Sequence, residues 1–222
     1  PTSSPSQDDS LVLVPGNPPP EGAEIIWFKG AAGRNLRACV APALSKSGPR
    51  GTAIVCPGRT EFIEKYFEVG RELQAMGFAV VILDWPGQGL SERLLDDTRK
   101  GHIDRFETFM GALANGLDQL EERLPRPYVS VAHSMGGAIA LAAISQNLVK
   151  VDAAAFMRHV GVEIAVFRDA PFATLCLPAV IKQRLGRSFA FAGLLRNKRA
   201  KLAFVVIGRQ LSLILEGEFV RL

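Results

Sequence analysis

Short apolar runs alternate with longer amphipathic stretches along the first 156 residues of the chain. Runs rich in β-branched side chains predict strands, and apolar side chains recurring every three or four positions predict helices. The predicted strands cover residues 24–29, 36–41, 51–56, 78–83, 129–132 and 152–156. The predicted helices cover residues 63–76, 104–124 and 136–143, with Asp104 as a candidate helix cap. This alternation indicates an α/β fold with a mostly parallel sheet flanked by helices, preceded by an antiparallel hairpin.

Three of the predicted strands end in loops of unusual composition, at residues 57–61, 84–91 and 132–137. The carboxyl ends of parallel strands meet at one edge of a sheet, and the binding site of such a sheet lies beyond that edge. We therefore expect the three loops to converge on one site.

Ser134 lies where the apolar strand 129–132 gives way to a helix without polar side chains. A nucleophile elbow needs small residues two before and two after the serine, and Ala132 and Gly136 occupy those positions. The N–H groups and dipole of the following helix can stabilise an oxyanion, which points to acyl transfer. The alternative is that a serine two residues before a glycine stands there by chance.

Composition narrows the class of protein. With 222 residues and 48% hydrophobic content, one domain can bury a sizeable core. Three cysteines without a CxxC pattern argue against a disulfide framework or zinc site, so we expect a reducing, cytoplasmic location and neither metal nor cofactor. Residues 152–222 contain 11 basic against 5 acidic side chains. This basic segment leaves membrane association open, whereas the lack of interleaved aromatics argues against a nucleic-acid partner.

Four segments carry a family resemblance: PGRTEFIEKY at 57–66, LDWPGQGLS at 83–91, GHID at 101–104 and AHSMGG at 132–137. In this order and with these separations they resemble the α/β-hydrolase superfamily, and within it the bacterial lysophospholipase and monoacylglycerol lipase-like branch. The resemblance covers about residues 25–155. It implies a serine esterase of lipid metabolism that forms an acyl-enzyme on a lipid ester such as a lysophospholipid or monoglyceride, with peripheral membrane contact as a further expectation.

The resemblance also implies roles for individual residues. Ser134 would be the nucleophile, and the N–H groups of Arg59 and Met135 would form the oxyanion hole. The elbow and its supporting loops would comprise Ala132, His133, Gly136, Gly137, Gly58, Asp84, Gly87 and Gly89. Two positions depart from the family pattern: Ala132 stands where many hydrolases have glycine, and Pro57 replaces the histidine of the commoner His-Gly loop.

The acid and histidine of a catalytic triad are not assigned by the sequence. In this fold the triad residues follow the order serine, acid, histidine. After Ser134 the single histidine is His159, and the single carboxylate between them is Asp152, only seven residues earlier. We therefore expect an enzyme that is C-terminally incomplete or altered, lacking the last strands and helices of the fold and showing negligible turnover. The alternatives are a non-catalytic binding or scaffold protein and a short homologue that has recruited His159.

These expectations divide the chain into three parts. Residues 1–22 form an irregular lead-in, residues 23–156 the hydrolase core, and residues 157–222 a lid-like and divergent C-terminal segment. Within the last part, residues 177–185 resemble a helix of the lid region of lipolytic members of the superfamily. Residues 202–220 are apolar but interrupted by charges, which suits a strand pair, an interfacial helix or unrelated sequence rather than a membrane span.

Overall fold

A seven-stranded mixed sheet forms the centre of the computed structural model, which describes residues 11–158, 161–165, 202–207, 210–215 and 218–221. The strands are β1 (Glu24–Lys29), β2 (Asn35–Ala41), β3 (Thr52–Cys56), β4 (Ala79–Leu83), β5 (Tyr128–His133), β6 (Ala153–Arg158) and β7 (Gly161–Ala165). The helices are α1 (Phe67–Ala75), α2 (Glu107–Gln119) and α3 (Met135–Ser145). Their order in the sheet is β1-β2-β4-β3-β5-β6-β7.

The four central strands, β4, β3, β5 and β6, run parallel to one another. β1 and β2 pair antiparallel, as the hairpin prediction required, and β2 and β7 join the central strands antiparallel. The predicted α/β fold with a mostly parallel sheet is confirmed. β6 and β7 continue the sheet beyond residue 156, the boundary predicted for the core.

Both faces of the sheet are covered, which explains why the central strands are apolar throughout. Successive side chains of β3 alternate between two cores: Ile54 and Cys56 pack into one, Ala53 and Val55 into the other. The first core includes side chains of α2 and α3, and the second includes side chains of α1. Because the sheet is held from both sides, the ends of its central strands are rigid supports for loops.

Two helix starts differ from their predictions. Asp104 does not cap α2, which begins at Glu107. Its carboxylate instead lies 2.9 Å from the His102 ring, which removes it from the helix N-terminus. The predicted helix 63–76 begins as a 3-10 turn, Ile63–Tyr66, before α1. The Asp84 carboxylate accepts the Ile63 N–H at 2.8 Å, so a tertiary contact fixes this turn.

The C-terminal part contains a second, antiparallel sheet of three strands: β8 (Leu202–Ile207), β9 (Gln210–Leu215) and β10 (Glu218–Arg221). The structure therefore has strands in residues 202–220, as one of the three alternatives proposed, but it has three strands where that alternative had two. The lid helix predicted at 177–185 and His159 lie outside the described residues. Within the described ranges, no helix is long and apolar enough to cross a membrane.

Candidate active site

Ser134 occupies the sharp turn between β5 and α3, as the elbow hypothesis predicts. Its backbone has φ 52° and ψ −116°, a conformation that is strained for any residue other than glycine. The serine is exposed, while the strand before it is almost entirely buried. The turn therefore presents a hydroxyl at the start of a helix and at the edge of a rigid sheet.

Close backbone contact explains the small residues around this serine. A Cβ on Gly136 would lie 2.1 Å from the Cys56 carbonyl oxygen and 2.4 Å from that of Pro57. The first turn of α3 therefore rests directly on the end of β3. Gly137 is less constrained, because among the described residues its Cβ would meet the Phe156 side chain alone, at 3.3 Å. Ala132 is fully buried between β3 and β6, where a methyl group is accommodated.

The loop at 57–61 is held against the elbow by the Glu61 carboxylate. Its Oε2 accepts hydrogen bonds from the Gly58 N–H and the Tyr66 hydroxyl, and lies 3.0 Å from His133 Nδ1. Its other oxygen pairs with Lys65. His133 immediately precedes the serine, so this carboxylate joins the first loop to the third.

Glu61 is ionised in this setting. Burial opposes the charge and by itself would raise the pKa of the carboxyl group. The hydrogen bonds from Lys65, Tyr66, His133 and the Gly58 N–H outweigh burial and lower the pKa to about 2. The negative charge of Glu61 therefore contacts Gly58, the residue before Arg59, and His133, the residue before Ser134.

The loop at 84–91 holds the other side of the same segment. The Gln88 side chain accepts the Thr60 N–H at 2.8 Å and donates to the carbonyl oxygens of Gly58 and Glu61 at 3.0 and 3.3 Å. Trp85 Nε1 donates to the Pro57 carbonyl at 2.7 Å. The three predicted loops therefore converge. In the absence of the commoner histidine at position 57, side chains of Glu61, Gln88 and Trp85 hold the first loop.

Asp84 organises its own loop from a buried position. Its carboxylate accepts the N–H groups of Ile63 and Leu90 at 2.8 and 3.0 Å and lies 3.2 Å from the Arg37 Nε. Burial raises the pKa of Asp84 to about 6, although Arg37 and the two N–H groups oppose that rise. Gly89 has φ +52°, and a Cβ there would lie 2.2 Å from the Asp84 carboxylate. Gly87, also at positive φ, packs on Gly101.

Two backbone N–H groups beside the serine remain available. In the loop at 57–61, Glu61 accepts the Gly58 N–H and Gln88 accepts the Thr60 N–H. Within the described part of the chain, neither the intervening Arg59 N–H nor the Met135 N–H donates a hydrogen bond. Met135 is the first residue of α3, where N–H groups have no partner inside the helix. N–H groups without a partner can donate to an anionic oxygen.

Comparison with known proteins agrees with this geometry. The sequence model of the Hydrolase_4 family, described as serine aminopeptidase, S33, matches residues 47–159, which is half of the chain and contains all three loops. The chain belongs to the Hydrolase_4 family. The predicted resemblance to α/β-hydrolases of lysophospholipase type is confirmed, while the activity of this member is a separate question.

Two curated relatives and one solved structure are similar to this chain. Lysophospholipase L2 of Escherichia coli K12 is 45% identical over 87 residues, covering 39% of this chain and 26% of that protein. Probable lysophospholipase L2 of Haemophilus influenzae is 30% identical over 96 residues, covering 43% of this chain and 30% of that protein. A carboxyl esterase structure from Bacillus coagulans, at 20% identity and TM-score 0.51, covers 61% of this chain and 44% of that one, and shows the fold. The matches thus span less than a third of either curated relative.

The Hydrolase_4 site contains no assigned triad acid or histidine within the described residues. His133 lies beside Glu61, and His102 lies beside Asp104 on the surface. Asp152 accepts the Tyr128 N–H at 2.9 Å, at the start of β5. Six residues at about 3.3 Å each place this carboxylate about 20 Å from Ser134. Asp152 is therefore at the wrong edge of the sheet to serve as the acid.

Sequence reasoning missed three side chains that hold the Hydrolase_4 site: Glu61, Trp85 and Gln88. All three are nearly buried, although they lie in loops. Each lies inside a segment that carries the family resemblance. A signal was therefore present, because polar side chains in short loops between apolar elements often fix the backbone. Several of the contacts that join the loops span 28 to 72 positions, so the sequence alone did not identify them.

Proposed function

We propose that this Hydrolase_4 member is a serine ester hydrolase that acts through an acyl-enzyme on Ser134. The observation that carries the proposal is the strained, exposed Ser134 at the start of α3. The N–H groups of Arg59 and Met135, which donate to no acceptor in the described residues, support it. Strain of this kind is maintained where it positions a reacting group. A nucleophile elbow also requires the close approach of α3 to β3 that is seen at Gly136. An ordinary connection between a strand and a helix does not require it.

In the proposed reaction, Ser134 Oγ attacks the ester carbonyl carbon, and its proton passes to a general base. The N–H groups of Arg59 and Met135 stabilise the resulting oxyanion. The bond to the alcohol then breaks, and the alcohol leaves with the proton from the base. Water attacks the acyl-enzyme in the same way, which releases the carboxylic acid and restores the serine hydroxyl. In the described structure the serine hydroxyl has no hydrogen-bond partner, so this base is not among its contacts.

We propose a lipid ester with one free polar end, a lysophospholipid or monoglyceride, as the substrate. Support comes from the two curated relatives, whose names describe lysophospholipases. A cytoplasmic location with peripheral membrane contact agrees with such a substrate, and both belong to the proposal. The role proposed for Arg59 belongs to its backbone N–H, which donates to no acceptor in the described part of the chain.

Hydrolysis assays on the intact gene product test the mechanism and substrate separately. Lysophosphatidylcholine, a monoglyceride, a triglyceride and a short soluble ester are compared, each with wild type and Ser134→Ala. We expect turnover of the first two that is lost in Ser134→Ala. Equal turnover by both proteins contradicts the mechanism. Exclusive turnover of the short ester contradicts the lipid substrate and leaves the mechanism standing.

The second candidate is a non-catalytic binding protein on the same fold. It is favoured by the absence, within residues 11–156, of a base bonded to the Ser134 hydroxyl. For the 222-residue chain by itself we expect negligible turnover. If the protein only binds, wild type and Ser134→Ala should both bind lyso-lipid and neither should hydrolyse it. Ester hydrolysis by the 222-residue chain that depends on both Ser134 and His159 would contradict the expectation of negligible turnover.

A further inference from the structure

The Glu61 carboxylate contacts two residues of the proposed site. One precedes the oxyanion donor Arg59, and the other precedes the nucleophile Ser134. The carboxylate accepts the N–H of Gly58, which precedes Arg59, and it lies 3.0 Å from the ring of His133, which precedes Ser134. Glu61 is only 7% exposed, so these contacts are made away from competing water.

The close fit around this carboxylate depends on Gly58. A Cβ at that position would lie 2.6 Å from Glu61 Oε2 and 2.9 Å from His133 Nδ1. The first loop therefore leaves no room for a side chain at position 58. Gln88 holds the opposite side of the loop through the carbonyl oxygens of Gly58 and Glu61. Hydrogen bonds therefore hold the backbone on both sides of Arg59.

We propose that Glu61 is a positioning residue whose carboxylate fixes the separation between the Arg59 N–H and Ser134 Oγ by bonding to Gly58 and His133. This inference rests on the proposed function, since it concerns the oxyanion hole of that reaction. Glu61 touches neither the substrate nor the serine hydroxyl in this arrangement. It acts through the two backbone segments that it joins.

The arrangement requires a carboxylate rather than an amide. Four donors surround Glu61: the Gly58 N–H, the Tyr66 hydroxyl, the Lys65 ammonium and the His133 ring. An ionised carboxylate only accepts hydrogen bonds, so it suits all four. In Glu61→Gln the amide nitrogen is itself a donor and faces one of these groups. We expect the loop to move away from His133 and the oxyanion hole to widen.

The first test measures kcat and KM of the intact gene product for a lysophospholipid. Removing an oxyanion donor lowers kcat by about 10²–10³-fold in a serine hydrolase. Because Glu61→Gln displaces the Arg59 N–H rather than deleting it, we expect kcat to fall by about 10- to 100-fold while KM changes less than twofold. The matched control is Tyr66→Phe, which removes one hydrogen bond to Glu61 and leaves Gly58 and His133 bonded. We expect its kcat to stay within about threefold of wild type.

A transition-state readout separates positioning from general destabilisation. A long-chain alkyl trifluoromethyl ketone forms a tetrahedral adduct whose oxyanion occupies the oxyanion hole. Its affinity should fall in Glu61→Gln by the same factor as kcat/KM, because both report that hole. Unchanged inhibitor affinity, a kcat within threefold of wild type, or equal losses in Glu61→Gln and Tyr66→Phe would each overturn the proposal.

Glu61→Asp keeps the proposal falsifiable where Glu61→Gln does not fold. It retains the charge but shortens the side chain by one methylene, so it should also lower kcat and inhibitor affinity together. Wild-type activity in Glu61→Asp would overturn the positioning role. Failure of the proposed function is distinguishable, because it appears in the wild-type protein as hydrolysis that does not depend on Ser134.

Discussion

Replacing Gly136 by alanine should separate the elbow from the strand that supports it. The new Cβ would lie 2.1 Å from the Cys56 carbonyl oxygen and 2.4 Å from the Pro57 carbonyl oxygen. Both contacts are to backbone atoms inside or next to β3, so no side-chain rotation relieves them. The start of α3 must therefore move away from the end of β3 by about 1 Å to restore ordinary van der Waals contact.

The size of the effect follows from this displacement. Overpacking of a well-packed interior lowers the free energy of unfolding by about 1–3 kcal/mol. A misplacement of about 1 Å in a reacting group lowers the rate by about 100-fold, which corresponds to about 2.7 kcal/mol in the barrier. Gly136→Ala should therefore remain folded at 25 °C but react far more slowly at Ser134.

The assay compares Gly136→Ala with Gly111→Ala. Gly111 lies inside α2, and its Cβ would meet no atom of the described residues within 4 Å. Urea denaturation gives the stability of each variant, and the rate of labelling by a fluorophosphonate gives the reactivity of Ser134. We expect Gly111→Ala to be more stable than wild type by about 0.5–1 kcal/mol, with unchanged labelling. Equal stability and labelling in the two variants would refute the argument that α3 rests on the end of β3.

Three further predictions follow from the site. Arg59→Ala keeps the backbone N–H, so turnover should stay within a few-fold of wild type. A loss of turnover approaching that of Ser134→Ala would show that the Arg59 side chain is needed for catalysis. Gly89→Ala combines a left-handed φ with a Cβ 2.2 Å from the Asp84 carboxylate, and urea denaturation should show a loss of about 2–3 kcal/mol. Gly33→Ala is the control, because Gly33 has φ +73° and its Cβ would meet no atom of the described residues within 4 Å. An equal loss of unfolding free energy in Gly33→Ala would show that the contact with Asp84 adds nothing to the cost of the backbone conformation. The folded-state pKa of Glu61 is lowered from 4.5 to about 2, so its stabilising contribution is complete above pH 4.5 and is lost as the pH falls towards 2. Between pH 4.5 and 2, the free energy of unfolding should therefore fall less in Glu61→Gln than in wild type. An equal fall in both proteins would contradict the ionised state of Glu61.

The elbow was predictable because its requirements are local. Small residues must flank Ser134 wherever a strand and a helix meet at so sharp a turn, and the sequence shows them directly. The convergence of the three loops was also predictable, since it depends only on the order of parallel strands. The second prediction uses geometry that every parallel sheet shares, and the first uses a local motif.

Contacts between distant residues were not predictable in the same way. Asp104 has the side chain of a helix cap, yet it pairs with His102, and α2 begins three residues later. Glu61 resembles an ordinary polar loop residue until the fold brings His133 to it from 72 positions away. Side chains that hold loops together depend on the tertiary structure, which periodicity and residue preference do not describe.

The central claim is that Ser134 is the nucleophile of this Hydrolase_4 member, and active-site labelling tests it most directly. The intact gene product is treated with a fluorophosphonate, digested and analysed by mass spectrometry, with Ser134→Ala as the control. We predict a single modified peptide, carrying the adduct on Ser134 and absent from the variant. Equal labelling of wild type and Ser134→Ala, or an adduct on another serine, would contradict the account.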